Sequence, residues 1–203
     1  MLMEVAKQVR TAILLVIFFS IITGFLYPVV VTSVAQNLFS WRANGSLLLS
    51  QDKRFIGSAL IGQLFTEPKY FWGRPSATTP FSYNAASSGS DNFGPRNPDL
   101  IAIVKNRCNE LHKVDSKNAN LIPVDLVTAS ASGLDPDISP LAAQYQINRI
   151  AKARNLPATK IAEIVASATK NRVWHVLGEP TVNVLQLNIA LNALEKNLHH
   201  KVQ

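Results

Sequence analysis

Gly57, Ser58, Ala59, Leu60, Ile61 and Gly62 reproduce the glycine spacing of a phosphate-binding loop. That motif next needs Lys for the terminal phosphates and Ser or Thr for magnesium, but Gln63 and Leu64 stand there, which excludes a Walker-type nucleotide site. A hydrolytic set can be written from Ser130 or Ser132 as nucleophile with Asp135 and His175, using the turn at Gly133. The chain has no G-x-S-x-G elbow, and Ser and Asp at a glycine turn ordinarily cap backbone groups, so a structural role is expected. The alternative kept open is a membrane-anchored envelope hydrolase or binding domain using Ser130 or Ser132.

His112, His175, His199 and His200 lack the HExxH spacing and have no Cys partners, so no metal site is expected. Asp135 and Asp137 flank Pro136, yet two carboxylates fall short of the roughly six oxygens that calcium takes. Cys108 is the only cysteine, which forbids an internal disulfide, and among Ile103, Val104 and Leu111 it reads as a small buried apolar residue. No catalytic residue is assigned.

The elements that must carry these residues follow from periodicity and capping. Ser46–Leu49 and Phe55–Leu60 suggest a hairpin around the polar 51–54 stretch. The next stretch, 70–98, is rich in Gly, Pro, Ser and Asn yet carries Phe71, Trp72, Phe81, Tyr83 and Phe93, too many aromatics for disorder. Those rings are equally readable as interface anchors or as the domain's own core. Asn97-Pro98 starts a helix over 99–113. Val124–Thr128 and Val173–Leu177 read as strands. Ser139-Pro140 opens a helix to about Arg154, another covers 158–170, and Asn183 with Gln186 caps a last one ending near Leu198. Asn44-Gly45-Ser46 matches a glycosylation sequon but reads first as a turn.

Residues 11–41 contain no charge, and 11–35 hold fifteen Leu, Ile, Val or Phe side chains. At ~1.5 Å per residue, 11–35 reaches ~37 Å, more than the ~30 Å hydrocarbon core. The apolar run exceeds the ~7–15 residues of a signal-peptide core, so an uncleaved anchor is expected rather than cleavage after Ser33-Val34-Ala35. Lys7 and Arg10 precede the span; the positive-inside rule then makes 1–10 a cytoplasmic stub, 11–35 the transmembrane helix and 36–203 an extracytoplasmic domain. Gly24 and Pro28 are expected to disturb the helix. The expected class is α+β: one N-terminal transmembrane helix, then one mixed α/β domain. The chain carries a formal +7, and after Arg10 it has eighteen Lys and Arg against twelve Asp and Glu. That charge suits a lipid bilayer or an acidic partner, or is simply a solvated face; no basic run interleaved with aromatics points to nucleic acid.

Six stretches taken together resemble one family, the C subunit (KdpC) of the Kdp-type potassium-transporting P-type ATPase. They are GSALIGQ from Gly57, YFWGRPSA from Tyr70, Tyr83-Asn84 with SSGS from Ser87, GPRNP from Gly94, VDLVTASASGLDPDISP from Val124, and EPTVNVLQLNIAL from Glu179. With the N-terminal span they cover nearly the full length in the family's order.

The resemblance implies a non-catalytic subunit of an ATP-driven potassium pump in the bacterial inner membrane. Its implied partners are a channel-like potassium-binding subunit and the catalytic P-type ATPase subunit; this chain has no DKTGT phosphorylation sequence. Potassium is the implied transported ion of the complex. The resemblance also implies a role in assembly and stability, and as a catalytic chaperone that raises the pump's affinity for ATP. Gln146, in the helix after GLDPDISP, is the residue it implies for nucleotide contact. An extracytoplasmic domain cannot reach cytoplasmic ATP, so the expectation that reconciles both is a cap or brace on the channel-like subunit that affects ATP use through coupling.

Overall fold

A computed structural model describes residues 1–50 and 54–200, with side chains of the last helix described through residue 195. It divides into two units, Met1–Ile56 and the chain from Gly57 onward.

The first unit is built on one helical rod, Leu2–Leu38, 37 residues long and apolar enough to cross a bilayer. It comprises α1 (Leu2–Ile21), a π turn (Ile22–Leu26) and α2 (Tyr27–Leu38). The π turn is the effect of Pro28. Lacking an N–H, Pro28 gives nothing to the Gly24 carbonyl, and the ladder widens so that Tyr27 N–H donates to Ile22 O, five residues back. The polar side chains fold back on the rod: Thr11 and Thr23 Oγ1 donate to Lys7 and Phe19 carbonyls at 3.0 and 2.7 Å.

After a short helix α3 (Ser40–Ala43), Asn44-Gly45-Ser46 is a turn, with Gly45 at φ 86°. Leu47–Leu49 (β1) then pairs with Phe55–Ser58 (β2), and Ser50 N–H donates to Arg54 O at 2.8 Å. The hairpin is as expected; its residues 51–53 lie outside those described.

In the second unit α4 spans Pro98–Val114, with Asn97 Oδ1 accepting the Asp99 N–H at 2.8 Å. A three-stranded antiparallel sheet has the order β3 (Asp137–Ile138), β5 (Thr181–Asn183), β4 (Thr169–Lys170). Asp137 faces Asn183 and Ile138 faces Val182; Val182 also faces Thr169 across the other edge. Helix α5 is Pro140–Arg154, α6 is Ala158–Ala168 and α7 is Val184–His200. Ser139 Oγ caps α5 at the Ala142 N–H, and Asn183 Oδ1 caps α7 at the Gln186 N–H. Asn155, in the left-handed region at φ 52°, ends α5 with Lys152 and Arg154 in its last turn, where the helix dipole favours cations.

Two expected strands are not strands. Val124–Leu126 is one 3-10 turn, held because Thr128 Oγ1 donates back to Val124 O at 2.8 Å and Asp125 accepts the Ser139 N–H at 2.7 Å. Val173–Leu177 closes on itself, each residue's N–H donating to the other's carbonyl at 2.9 Å, so it has no ladder to extend.

The core packs α5, α6 and α7 over the sheet around Phe71, Ile138, Ile150, Ile161, Val182 and Leu187. Phe71 is fully buried, worth about 1.5–3 kcal/mol of transfer free energy. Cys108 packs against this core from α4. Of the six aromatics in 70–98, Phe71 is core, Tyr70, Trp72, Tyr83 and Phe93 are half-buried, and Phe81 is exposed.

Candidate functional site

The buried stripe of α5 is not apolar. Gln146, Arg149 and Arg154 share it with Ala142, Ala143 and Ile150. Buried polar groups need partners, and these find theirs along one irregular stretch, residues 68–72. Gln146 Oε1 accepts the Trp72 N–H at 2.8 Å while Nε2 donates to Trp72 O at 3.1 Å. Asn188 of α7 does the same for Phe71, accepting its N–H at 2.9 Å and donating to its carbonyl at 3.0 Å. Arg149 donates to the carbonyls of Pro68 and Tyr70, and Arg154 Nε donates to Lys69 O at 2.8 Å.

Every carbonyl from Pro68 to Trp72 is therefore held by a side chain. The segment is gripped like a strand, but by amides and guanidinium groups instead of a neighbouring backbone. Arg149 also stacks over the Trp72 ring at 4.3 Å, and Arg154 over Tyr70 at 5.0 Å. Arg154 continues to α7, pairing with Glu195 and donating to Asn192 Oδ1 at 2.8 Å. Burial pushes the Arg149 guanidinium down to about 10, and it stays charged at neutral pH.

Gln146 is 1 % exposed. Its amide is fully engaged, since Oε1 also accepts from Arg149 Nη2 at 2.6 Å and Nε2 also donates to Ala142 O at 3.1 Å. Gln144, two residues earlier, faces solvent.

Beyond Trp72 the chain is pinned to the turn around Gly133. Arg74 pairs with Asp135 at 3.3 Å and donates to Ala129 O at 3.1 Å; Ser76 Oγ donates to Gly133 O at 2.7 Å. The Tyr83 hydroxyl donates to Arg74 O. Burial, reinforced by the Asp135 charge, pushes that phenol up to about 12. Gly62 must be glycine here, because a Cβ would lie 2.3 Å from the Tyr83 ring and 2.8 Å from Asp135 O. The rejected phosphate loop is thus a close-packing element, whose Ala59 carbonyl accepts from Asn183 Nδ2 at 2.9 Å.

The hydrolytic set does not assemble. Ser130 Oγ accepts the Gly133 N–H at 2.9 Å and Ser132 Oγ accepts the Leu134 N–H at 3.1 Å, which are turn caps. Asp135 is spent on Arg74 and on the Asp137 N–H, at 3.0 Å. His175 sits exposed on the 173–177 turn, and no hydrogen bond joins it to Ser130, Ser132 or Asp135 among the described residues. No group of three or more His, Cys, Asp or Glu side chains converges among the described residues.

A polar cleft of about 500 Å³ lies beside the clamp, lined by Pro68, Asp115, Lys117, Asn118, Arg149 and Lys152 among others. Three cations against one carboxylate make it suitable for an anion.

A family model described as K+-transporting ATPase, c chain, matches residues 9–193. The chain belongs to the KdpC family. It is 52 % identical over 183 residues to the potassium-transporting ATPase KdpC subunit of Polynucleobacter asymbioticus, covering 90 % of this chain and 96 % of that protein. The protein of the same name from Variovorax paradoxus is 54 % identical over 185 residues, 91 % of this chain and 95 % of its own. That from Methylococcus capsulatus is 51 % identical over 185 residues, 91 % and 97 % respectively. The resemblance read from the six stretches is thereby established as membership. The stretches that look catalytic in the sequence, GSALIG and SASGLDPD, make close packing at Gly62 and turn caps at Ser130 and Ser132 in this chain.

Sequence reasoning missed Arg149, Arg154 and Asn188. For Asn188 the available signal was a polar side chain at a helix position with apolar neighbours one turn away on either side, Val184 and Leu185 before it and Leu191 after; Arg149, with Gln146 and Lys152 at i±3, gave no such signal.

Proposed function

We propose that this chain is a non-catalytic accessory subunit of an ATP-driven potassium pump. Its domain lies outside the cytoplasm, braces the channel-like subunit, and affects ATP use through coupling in the assembled complex. The observation that carries this reading is the clamp itself: the distinctive polar residues, Gln146 included, are consumed in making one rigid body. A brace needs rigidity; catalysis would need a free nucleophile, acid or base in a cleft.

Topology labelling tests it. Ser88, exposed in the polar loop, is changed to Cys in a Cys108→Ala chain and treated with a membrane-impermeant maleimide in intact cells, with a lysed control. Labelling in intact cells is expected. Labelling only after lysis would overturn the extracytoplasmic brace. A second arm deletes residues 57–203; loss of assembly or of potassium-stimulated turnover is expected, and unchanged values of both would also overturn the reading.

The cleft favours one second reading, direct nucleotide contact through Arg149, which lines it and is hydrogen-bonded to Gln146, itself outside the lining. It requires the domain in the cytoplasm and a change of conformation that releases the amide from Trp72, with Arg149, Lys117 and Lys152 left to face phosphate. The same labelling decides between the two.

A further inference from the structure

Between β4 and β5 the chain leaves the sheet and returns as a tight tip, Val173–Leu177, closed by the paired backbone bonds described above. Its four large apolar side chains face water: Val173 is 59 % exposed, Trp174 81 %, Val176 73 % and Leu177 54 %. Trp174 and His175 also hold left-handed backbone, at φ 51° and 61°, a conformation that bulky residues adopt only against strain. Asn-Gly would form such a turn without strain and without apolar exposure. An apolar, strained tip is unfavourable twice over in water, which marks it as a surface meant to be covered.

The base of the tip is polar with both signs. Arg172 pairs with Glu179 at 2.6 Å, both partly exposed, and Lys170 is exposed alongside.

We propose that the Val173–Leu177 tip inserts into an apolar, polar-rimmed socket on another protein subunit of the assembled transporter. The proposal rests on the accessory-subunit reading above. An anionic bilayer would be matched by a uniformly basic collar, whereas a collar bearing both a cation and an anion fits the polar rim of a protein interface. Trp174 has the character of an interface anchor, with a large rigid ring at the centre and charges around it. The four side chains supply several hundred Å² of apolar surface, on the order of half the ~800 Å² per partner in a standard interface. The tip is thus the centre of a larger contact. Two copies of it, convex against convex, would leave most of that surface uncovered.

The test uses the whole complex, co-expressed, extracted in detergent and captured by a tag on the catalytic subunit. A photo-crosslinking amino acid replaces Val176. The expected result is a covalent adduct with another subunit of the complex. Trp174→Asp should lower recovery of this chain on the order of tenfold or more, the effect of removing an interface anchor. Its thermal unfolding should stay unchanged, because Trp174 is 81 % exposed in its own domain. If the native chain is not captured at all, the accessory-subunit reading fails. If it is captured but Val176 links only to lipid, to a second copy of this chain or to nothing, the tip proposal is overturned and that reading stands. Full recovery of Trp174→Asp would overturn it as well.

Discussion

Gln146 holds both backbone groups of Trp72, accepting its N–H at 2.8 Å and donating to its carbonyl at 3.1 Å. One side-chain amide takes the place of a strand neighbour, and Asn188 repeats the arrangement at Phe71. A domain with only nine residues of strand among those described from Gly57 onward can therefore fix a long irregular segment, because its helices supply the missing ladder. That places the cost of failure on a few side chains, which is where the predictions fall.

Gln146→Ala removes two part-buried hydrogen bonds to Trp72 and takes from Arg149 the one side-chain acceptor it has beside the Pro68 and Tyr70 carbonyls. With buried groups left unpaired, the expected loss is about 2–4 kcal/mol. For a chain of this size that lowers the melting temperature by roughly 5–15 °C. Thermal unfolding of the full-length chain in detergent, followed by far-UV circular dichroism, measures it. An unchanged midpoint would show that the clamp is not what holds residues 68–72.

How much of this was legible follows residue by residue. The caps Asn97, Ser139 and Asn183 were, because capping depends on local backbone groups alone. The long apolar rod was, because its signal is composition. The clamp was not, since nothing local says that Gln146 meets Trp72 across 74 positions of chain. Val124–Thr128 misled because β-branched residues fit a strand equally well, and only the Thr128 hydroxyl and the Asp125 contact to Ser139 decide for a turn.

Gly133→Ala should be costly and Gly24→Ala close to neutral. Gly133 sits at φ 68°, and an added Cβ would lie 2.6 Å from the Thr78 methyl and 2.7 Å from Gly89 O. Strain and collision together are expected to cost about 2–4 kcal/mol. Nothing lies within 4 Å of a Cβ at Gly24. Denaturant midpoints of the two variants give the comparison, and equal midpoints would contradict the packing described at Gly133.

Ser130→Ala should lower stability by about 1–2 kcal/mol and remove no activity. The hydroxyl caps the buried Gly133 N–H, so its loss leaves a donor unpaired. Urea unfolding reads the first effect. An ester or peptide hydrolysis by the native chain that disappears in Ser130→Ala or Ser132→Ala would restore the hydrolase alternative.

Alkaline pH should weaken the fold through Tyr83. Its phenol is pushed up to about 12 from an ordinary value of 10.0, so between those values the folded chain keeps a proton that the unfolded chain has lost. Stability from this group is complete below pH 10 and falls as pH rises towards 12; from pH 8 to pH 11 the loss is about 1.4 kcal/mol. Tyr145 is pushed up by burial and adds in the same direction, while Arg149, pushed down, acts oppositely over the same interval. The readout is therefore a difference. Tyr83→Phe should be about 1 kcal/mol less stable than the native chain at pH 8, having lost the bond to Arg74 O, and the gap should close by pH 11. A gap of constant size across that range would mean that Tyr83 ionises as readily in the fold as outside it.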